Sequence, residues 1–333
     1  NSTSNTVSVF HNLTITYLPT ALSPVRNEKS ATRTANIDVT FGQNMSAAGQ
    51  TDFVVHRSQS SKRLLGAYSG DGTSTLSFDP TNDFEPGEEV QVTLTPAVET
   101  SAGQHISPYV WKFTAAAGTG PAVFDEMSKD FGPTDDFTPS VALGDVDGDG
   151  ALDVAVGNEG DQNVAYLNDG SGNFNVGSKD FGPTDDLTMS VALGDVDGDG
   201  ALDVAVGNAE GDQNVAYLND GSGNFTAGSK DFGSGSDETY SVVLGDVDGD
   251  GDLDVAVGNA SDQNAVYLND GSGNFDAGSK DFGSGSDVTL SVALGDVDGD
   301  GDVDVAVGND SEQNAVYLND GSGNFDAGSK DFG

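Results

Sequence analysis

The sequence predicts an all-β protein built from two unlike parts, and three observations predict it. No segment of the 333 residues keeps a 3.6-residue apolar period. Short alternating runs of β-branched and aromatic residues are separated by turns rich in Gly, Asp and Pro. In the second half, a unit of 50 or 51 residues recurs with the loop Asp-x-Asp-Gly-Asp-Gly-x-x-Asp, which starts at Asp145, Asp195, Asp246 and Asp296.

The first element is an N-terminal arm, residues 1–17. Val7, Val9, Leu13, Ile15 and Tyr17 share one face of an alternating strand interrupted by His11, with Ser8, Asn12, Thr14 and Thr16 opposite. Residues 18–116 follow as short strands: Ala35–Phe41, Phe53–His56, Ser74–Phe78, Glu89–Thr95 and Tyr109–Phe113. Turn signals at Asp71-Gly72 and Glu85-Pro86-Gly87 separate them, and a β-sandwich is the natural outcome for such a segment. Four stretches carry a resemblance: Ile37–Phe41 with Asn44-Met45, Ser74–Pro80, Pro86–Leu94, and Tyr109–Thr114. In this order they resemble the bacterial Ig-like domain of S-layer and other surface proteins. Residues 117–123, which include Ala-Gly-Thr-Gly, read as a short linker.

The repeat array covers residues 124–333. Its units run Phe124–Asn173, Phe174–Asn224, Phe225–Asn274 and Phe275–Asn324, and the first strand of a fifth follows. In the first unit four strands are expected at Ser128–Phe131, Ser140–Asp145, Asp153–Asn158 and Asn163–Asn168. Val141 and Leu143 point to one side and Ala142 and Gly144 to the other. A sheet with one bulky and one small apolar face suits stacking on its neighbours, so these are four-stranded, propeller-blade-like repeats.

The runs Leu143–Gly150, Asp153–Asn158 and Tyr166–Phe174 resemble the FG-GAP/VCBS repeat. That family implies calcium-bearing propellers, usually of seven blades, in extracellular adhesive and surface proteins. Four units and one strand do not make seven blades. Either the natural chain continues past Gly333 or the array closes or stacks differently.

Each loop places carboxylates at positions 1, 3, 5 and 9 around glycines, as a chain must to wrap a hard divalent cation in oxygen. The candidate ligands are Asp145, Asp147, Asp149 and Asp153 with the carbonyl of Ala151, then Asp195, Asp197, Asp199 and Asp203 with that of Ala201. The third set is Asp246, Asp248, Asp250 and Asp254 with the carbonyl of Asp252. The fourth is Asp296, Asp298, Asp300 and Asp304 with the carbonyl of Asp302. An EF-hand would carry Glu at position 12, whereas Val156, Val206, Val257 and Val307 stand there, inside strands. Calcium fits better than magnesium, which dehydrates reluctantly and demands an octahedron. About four ions are expected, one per repeat.

Charge supports a cation. The net charge is -43; residues 1–120 carry 10 acids and 7 bases, and residues 121–333 carry 45 acids and 5 lysines. Such a field repels nucleic acid and anionic membrane and disfavours a compact fold unless cations offset it. No run approaches the ~20 apolar residues of a membrane helix, and the absence of cysteine excludes disulfides. The chain begins at Asn1 rather than Met, as a processed product or fragment would, and is read as secreted.

No catalytic centre is expected. His11, His56 and His105 lack zinc spacing, and no nucleophile elbow or phosphate loop occurs. The lone Trp111 is expected in the core. Identical repeats give multivalency where an enzyme needs one asymmetric site. The expected protein is an extracellular structural subunit of a fibre or layer, pairing with copies of itself by donating the arm to a neighbour's sheet edge. The alternative is a monomeric adhesin or carbohydrate-binding module that meets surface glycans or other extracellular proteins.

Overall fold

The computed structural model describes residues 17–57, 63–118, 130–174, 177–260, 262–275, 278–325 and 330–332. Of the arm, only Tyr17 belongs to them; its hydroxyl donates to Gln104 Oε1 at 2.7 Å. The rest of the arm and most of the linker lie outside the described residues.

Seven strands form the N-terminal sandwich: β1 (Ala21–Ser23), β2 (Ile37–Thr40), β3 (Phe53–Arg57), β4 (Gly66–Ser69), β5 (Thr75–Pro80), β6 (Glu89–Leu94) and β7 (Tyr109–Thr114). They make two antiparallel sheets, ordered β1-β2-β5-β4 and β3-β6-β7. Alternation decides which side chains meet between them. Ile37, Val39, Leu76 and Phe78 face Phe53, Val55, Val92 and Trp111 in one buried cluster. The Phe53 ring sits 6.0 Å from Phe78 and 6.4 Å from Trp111, centroid to centroid. The five expected strands are present within a residue or two. The short β1 and β4 were not foreseen, because three or four residues hold too little alternation to register.

Four antiparallel four-stranded sheets follow. Their first strands are Ser140–Gly144, Thr188–Gly194, Thr239–Gly245 and Val288–Gly295. The second strands are Asp153–Gly157, Asp203–Asn208, Asp254–Asn259 and Asp304–Asp310. The third are Asn163–Tyr166, Asn214–Leu218, Asn264–Tyr267 and Asn314–Tyr317. The fourth are Ser178–Phe181, Gly228–Phe232, Ser279–Phe282 and Lys330–Phe332.

This grouping corrects the expected unit. The Ser-Lys-Asp-Phe strand closes the preceding sheet rather than opening the next: Ala165 lies opposite Lys179, and Val316 opposite Lys330. The Asn-Asp-Gly-Ser-Gly-Asn turn folds it back, with the Asp220 N–H donating to the Asn224 carbonyl at 3.0 Å. The surplus strand therefore completes a fourth sheet. The expected strand Ser128–Phe131 lies partly outside the described residues, and Asp130 and Phe131 are not in a strand. A period fixes the length of a unit but not where the unit starts.

The sheets stack in sequence order with one hydrophobic core at each junction. Ala155, Ala165 and Phe181 meet Val191, Val204 and Val206; Ala205, Ala216 and Phe232 meet Val242, Val255 and Val257; Ala256, Val266 and Phe282 meet Val292, Val305 and Val307. The approach is close enough to require glycine. A Cβ on Gly157 would lie 2.6 Å from Thr188 Cγ2 and 2.8 Å from Val191 Cγ1, and one on Gly144 would lie 2.6 Å from Leu202 Cδ1. Among the described residues the stack does not close into a propeller: the bulky face of the first sheet and the small face of the fourth are both open.

Candidate metal centres

Each acidic loop joins the first strand of a sheet to the second, so the hairpin holds both ends of the loop in fixed register. Gly148 and Gly150 have φ of 74° and 94°, and their equivalents match; only glycine adopts this freely, which explains the Gly at positions 4 and 6. Carboxylates at positions 3 and 5 cap the turns. Asp147 Oδ1 accepts from the Asp149 N–H at 3.2 Å, and Asp149 Oδ1 from the Ala151 N–H at 2.8 Å. The same pair of bonds recurs at Asp197 and Asp199 with Ala201, at Asp248 and Asp250 with Asp252, and at Asp298 and Asp300 with Asp302.

Position 9 has a structural task as well. Asp203 is buried, its Oδ2 accepting from the Val196 N–H at 2.9 Å and its Oδ1 from the Asn219 N–H at 2.8 Å. Asp153, Asp254 and Asp304 repeat this. These carboxylates tie the loop to the turn after the third strand. Asn219, Asn269 and Asn319 extend the tie, each donating from Nδ2 to the loop of the preceding sheet, at the carbonyls of Val146, Val196 and Val247, at 2.7 Å.

The acidic side chains converge. Ligand oxygens of Asp145, Asp147 and Asp153 all lie within 4.8 Å of one another; so do those of Asp195, Asp197 and Asp199, of Asp246, Asp248 and Asp250, and of Asp296, Asp298 and Asp300. Burial, aided by neighbouring carboxylates, pushes Asp195 up to about 6 and Asp203 up to about 8. Asp145 is raised for the same reason. Asp145 Oδ1 and both carboxylate oxygens of Asp195 are buried without a hydrogen-bond partner. An orphaned buried carboxylate oxygen is costly unless a cation meets it, so the donor set fits a hard divalent ion.

The third and fourth loops differ because the sandwich lies on them. Thr93 Oγ1 donates to Asp246 Oδ2 at 2.5 Å, in a fully buried position. Burial, which this bond opposes, raises Asp246 to about 8. Arg63 donates to the Gly251 carbonyl at 3.0 Å and pairs with Asp252 Oδ1 at 2.5 Å. His56 Nε2 is 2.9 Å from the same carbonyl. Burial pushes the His56 imidazole down to about 4, partly offset by that bond; the ring is neutral and donates its Nε2 proton. At the fourth loop the Val110 N–H donates to the Gly301 carbonyl at 2.8 Å, and Arg26 pairs with Asp296 and Tyr109. Sequence reasoning did not find these partners. Gln91 and Thr93 occupy the outward positions of β6 yet are buried there.

Comparison with known families agrees with the two-part reading. Residues 145–206, 195–257 and 246–307 match the FG-GAP-like repeat, and residues 19–115 match the bacterial Ig-like domain. The three overlapping repeat matches span all four loops. No protein of curated function matches the chain. Among solved structures, a structural genomics protein of unknown function from Bacteroides thetaiotaomicron is 12% identical, with 96% of this chain and 73% of that chain covered and a TM-score of 0.35. Domains 1–6 of surface layer protein SbsC are 9% identical, with 93% and 58% covered and a TM-score of 0.23. A second structure, of the S-layer protein rSbsC, is 10% identical, with 91% and 58% covered and a TM-score of 0.21. This chain thus spans less than two thirds of either surface-layer structure. Repeats of this kind often bind calcium, and together with an Ig-like domain they point to an extracellular surface protein. The chain carries a bacterial Ig-like domain followed by FG-GAP-like repeats.

Proposed function

We propose that this chain is a calcium-loaded structural subunit of an extracellular surface fibre or layer, with one ion per acidic loop and no catalytic role. The observation that carries this reading is repetition: a cluster of converging carboxylates recurs in all four loops of an evenly stacked scaffold. In each loop the carboxylates at positions 1, 3, 5 and 9 and the carbonyl at position 7 would hold the ion. A bound calcium ion supplies positive charge that offsets like-charge repulsion in the loop. The protein residues hold the loop in shape through the Asp203-type tie, and the Asn219-type amide fixes the loop of the preceding sheet against the sheet that follows.

Assembly is assigned to the N-terminal arm, donated to the sheet edge of a neighbouring copy. Its alternating apolar face suits that role. Such head-to-tail donation generates an open filament. Electron microscopy of the full-length protein in millimolar calcium is expected to show ordered fibres, and deletion of residues 1–17 is expected to abolish them. Fibres that survive the deletion would remove the arm from the joint. Isolated particles from the intact chain would shift the reading to a monomeric adhesin or glycan-binding module.

A further inference from the structure

The two open ends of the sheet stack are the two halves of one junction, and that junction already occurs three times inside the chain. In each internal copy, a Leu from the later sheet covers a Gly of the earlier one: Leu193 on Gly144, Leu244 on Gly194 and Leu294 on Gly245. Val191, Val242 and Val292 cover Gly157, Gly207 and Gly258. The N–H groups of these valines donate to the hydroxyls of Ser140, Ser190 and Ser241 at 3.0–3.1 Å. The asparagine bonds to the Val146, Val196 and Val247 carbonyls complete the set.

The first sheet carries the later half of this set with none of the described residues packed over it. Val141 and Leu143, equivalent to Val191 and Leu193, are 60% and 55% exposed. Among the described residues, Asn168, equivalent to Asn219, donates from Nδ2 only within its own sheet, to the Leu152 carbonyl. The fourth sheet carries the earlier half. A Cβ on Gly295 would meet nothing within 4 Å, and one on Gly308 would meet only its own sheet, at Ser291. Ser291 is exposed. Val297 is 59% exposed, whereas Val146, Val196 and Val247 are buried under the sheet that follows each of them.

We propose that the first sheet of one copy docks on the fourth sheet of a second copy of this chain, continuing the internal junction between molecules. Val141 and Leu143 then cover Gly308 and Gly295, the Val141 N–H donates to Ser291 Oγ, and the Asn168 amide reaches the Val297 carbonyl. The contact is heterologous, so it propagates until the rotation per chain closes a ring or leaves an open stack. It makes no use of the N-terminal arm and goes beyond the reading above, since it supplies a second joint of different chemistry. The strong negative charge of the array opposes docking, so the joint forms in millimolar calcium.

Two substitutions block one end each and leave the monomer intact. Leu143→Lys alters an exposed side chain, and Gly308→Leu fills open space. Sedimentation velocity in millimolar calcium should show the wild-type mass rising with concentration above the 33.9 kDa monomer. Each variant alone should stay monomeric, its self-association weakened at least about tenfold. An equimolar mixture should give dimers, because each variant keeps the face the other has lost. A wild type that stays at the monomer mass overturns the proposal, as do variants that assemble like wild type. In that last case the full-length variant Ile15→Pro identifies the source: loss of assembly assigns the joint to the arm alone.

Discussion

Chelating calcium from the intact protein is expected to lower the melting temperature of the repeat array far more than that of the core formed by residues 18–116. A site occupied at a hundredfold excess over its Kd contributes about 2.7 kcal/mol. Four such sites sum to roughly 11 kcal/mol, comparable to the whole stability of an ordinary domain. Differential scanning calorimetry with and without chelator reads this directly, and superimposed transitions would contradict a structural role for the loops. A second signature comes from pH. In the metal-free protein, burial holds Asp203 and Asp246 at about 8, Asp302 at about 7 and Asp153 at about 6, all above the ordinary carboxylate value of 3.8. The folded form therefore binds more protons than the unfolded form between pH 4 and 8. Stability from these groups is present at low pH and lost as pH rises through their folded values. The metal-free array should melt higher at pH 5 than at pH 8. With calcium the order should reverse, because ligands must be deprotonated to bind.

The second large effect is steric. Gly207→Leu is expected to destabilise the array by about 3 kcal/mol or more, because even its Cβ would lie 2.7 Å from Val242 and 2.8 Å from Thr239 across the junction. Gly308→Leu, the same change at the same repeat position, should shift stability by no more than about 0.5 kcal/mol. Urea denaturation of the two variants separates a requirement for glycine at the junction from a general intolerance of leucine in the strand. Equal losses in both would mean that the sheet itself, and not the neighbouring sheet, demands the glycine.

Much of this architecture is legible in the residues. Alternation around Ile37, Val39, Leu76 and Phe78 announces one half of the sandwich core, and the contrast between Leu143 and Gly144 announces stacked sheets with unequal faces. The acidic loops are legible because carboxylate spacing and glycine placement are local. Three things were not. The start of each sheet is hidden because a cyclic permutation leaves the period unchanged, so the pairing of Lys179 with Ala165 needed coordinates. The tie made by Asp203 is hidden because an aspartate that accepts two backbone N–H groups reads like any other loop carboxylate. The docking of Thr93, His56 and Arg63 on the third loop depends on how the two parts meet, which no local pattern encodes.

That docking also governs how the molecule would carry load. The sandwich precedes the first sheet along the chain, yet it grips the third and fourth, so His56 and Gly251 touch although they are 195 residues apart. Tension between the two chain ends would pass from the sandwich through this contact into the last two sheets. The first two sheets would lie off the line of force, as stored length, until the contact opens. Stretching a single molecule by its ends should release that length in a distinct step before the array unravels. Early unravelling of the first sheet would mean that the contact yields at once. A surface protein wired in this way would lengthen under strain before its folded sheets begin to come apart.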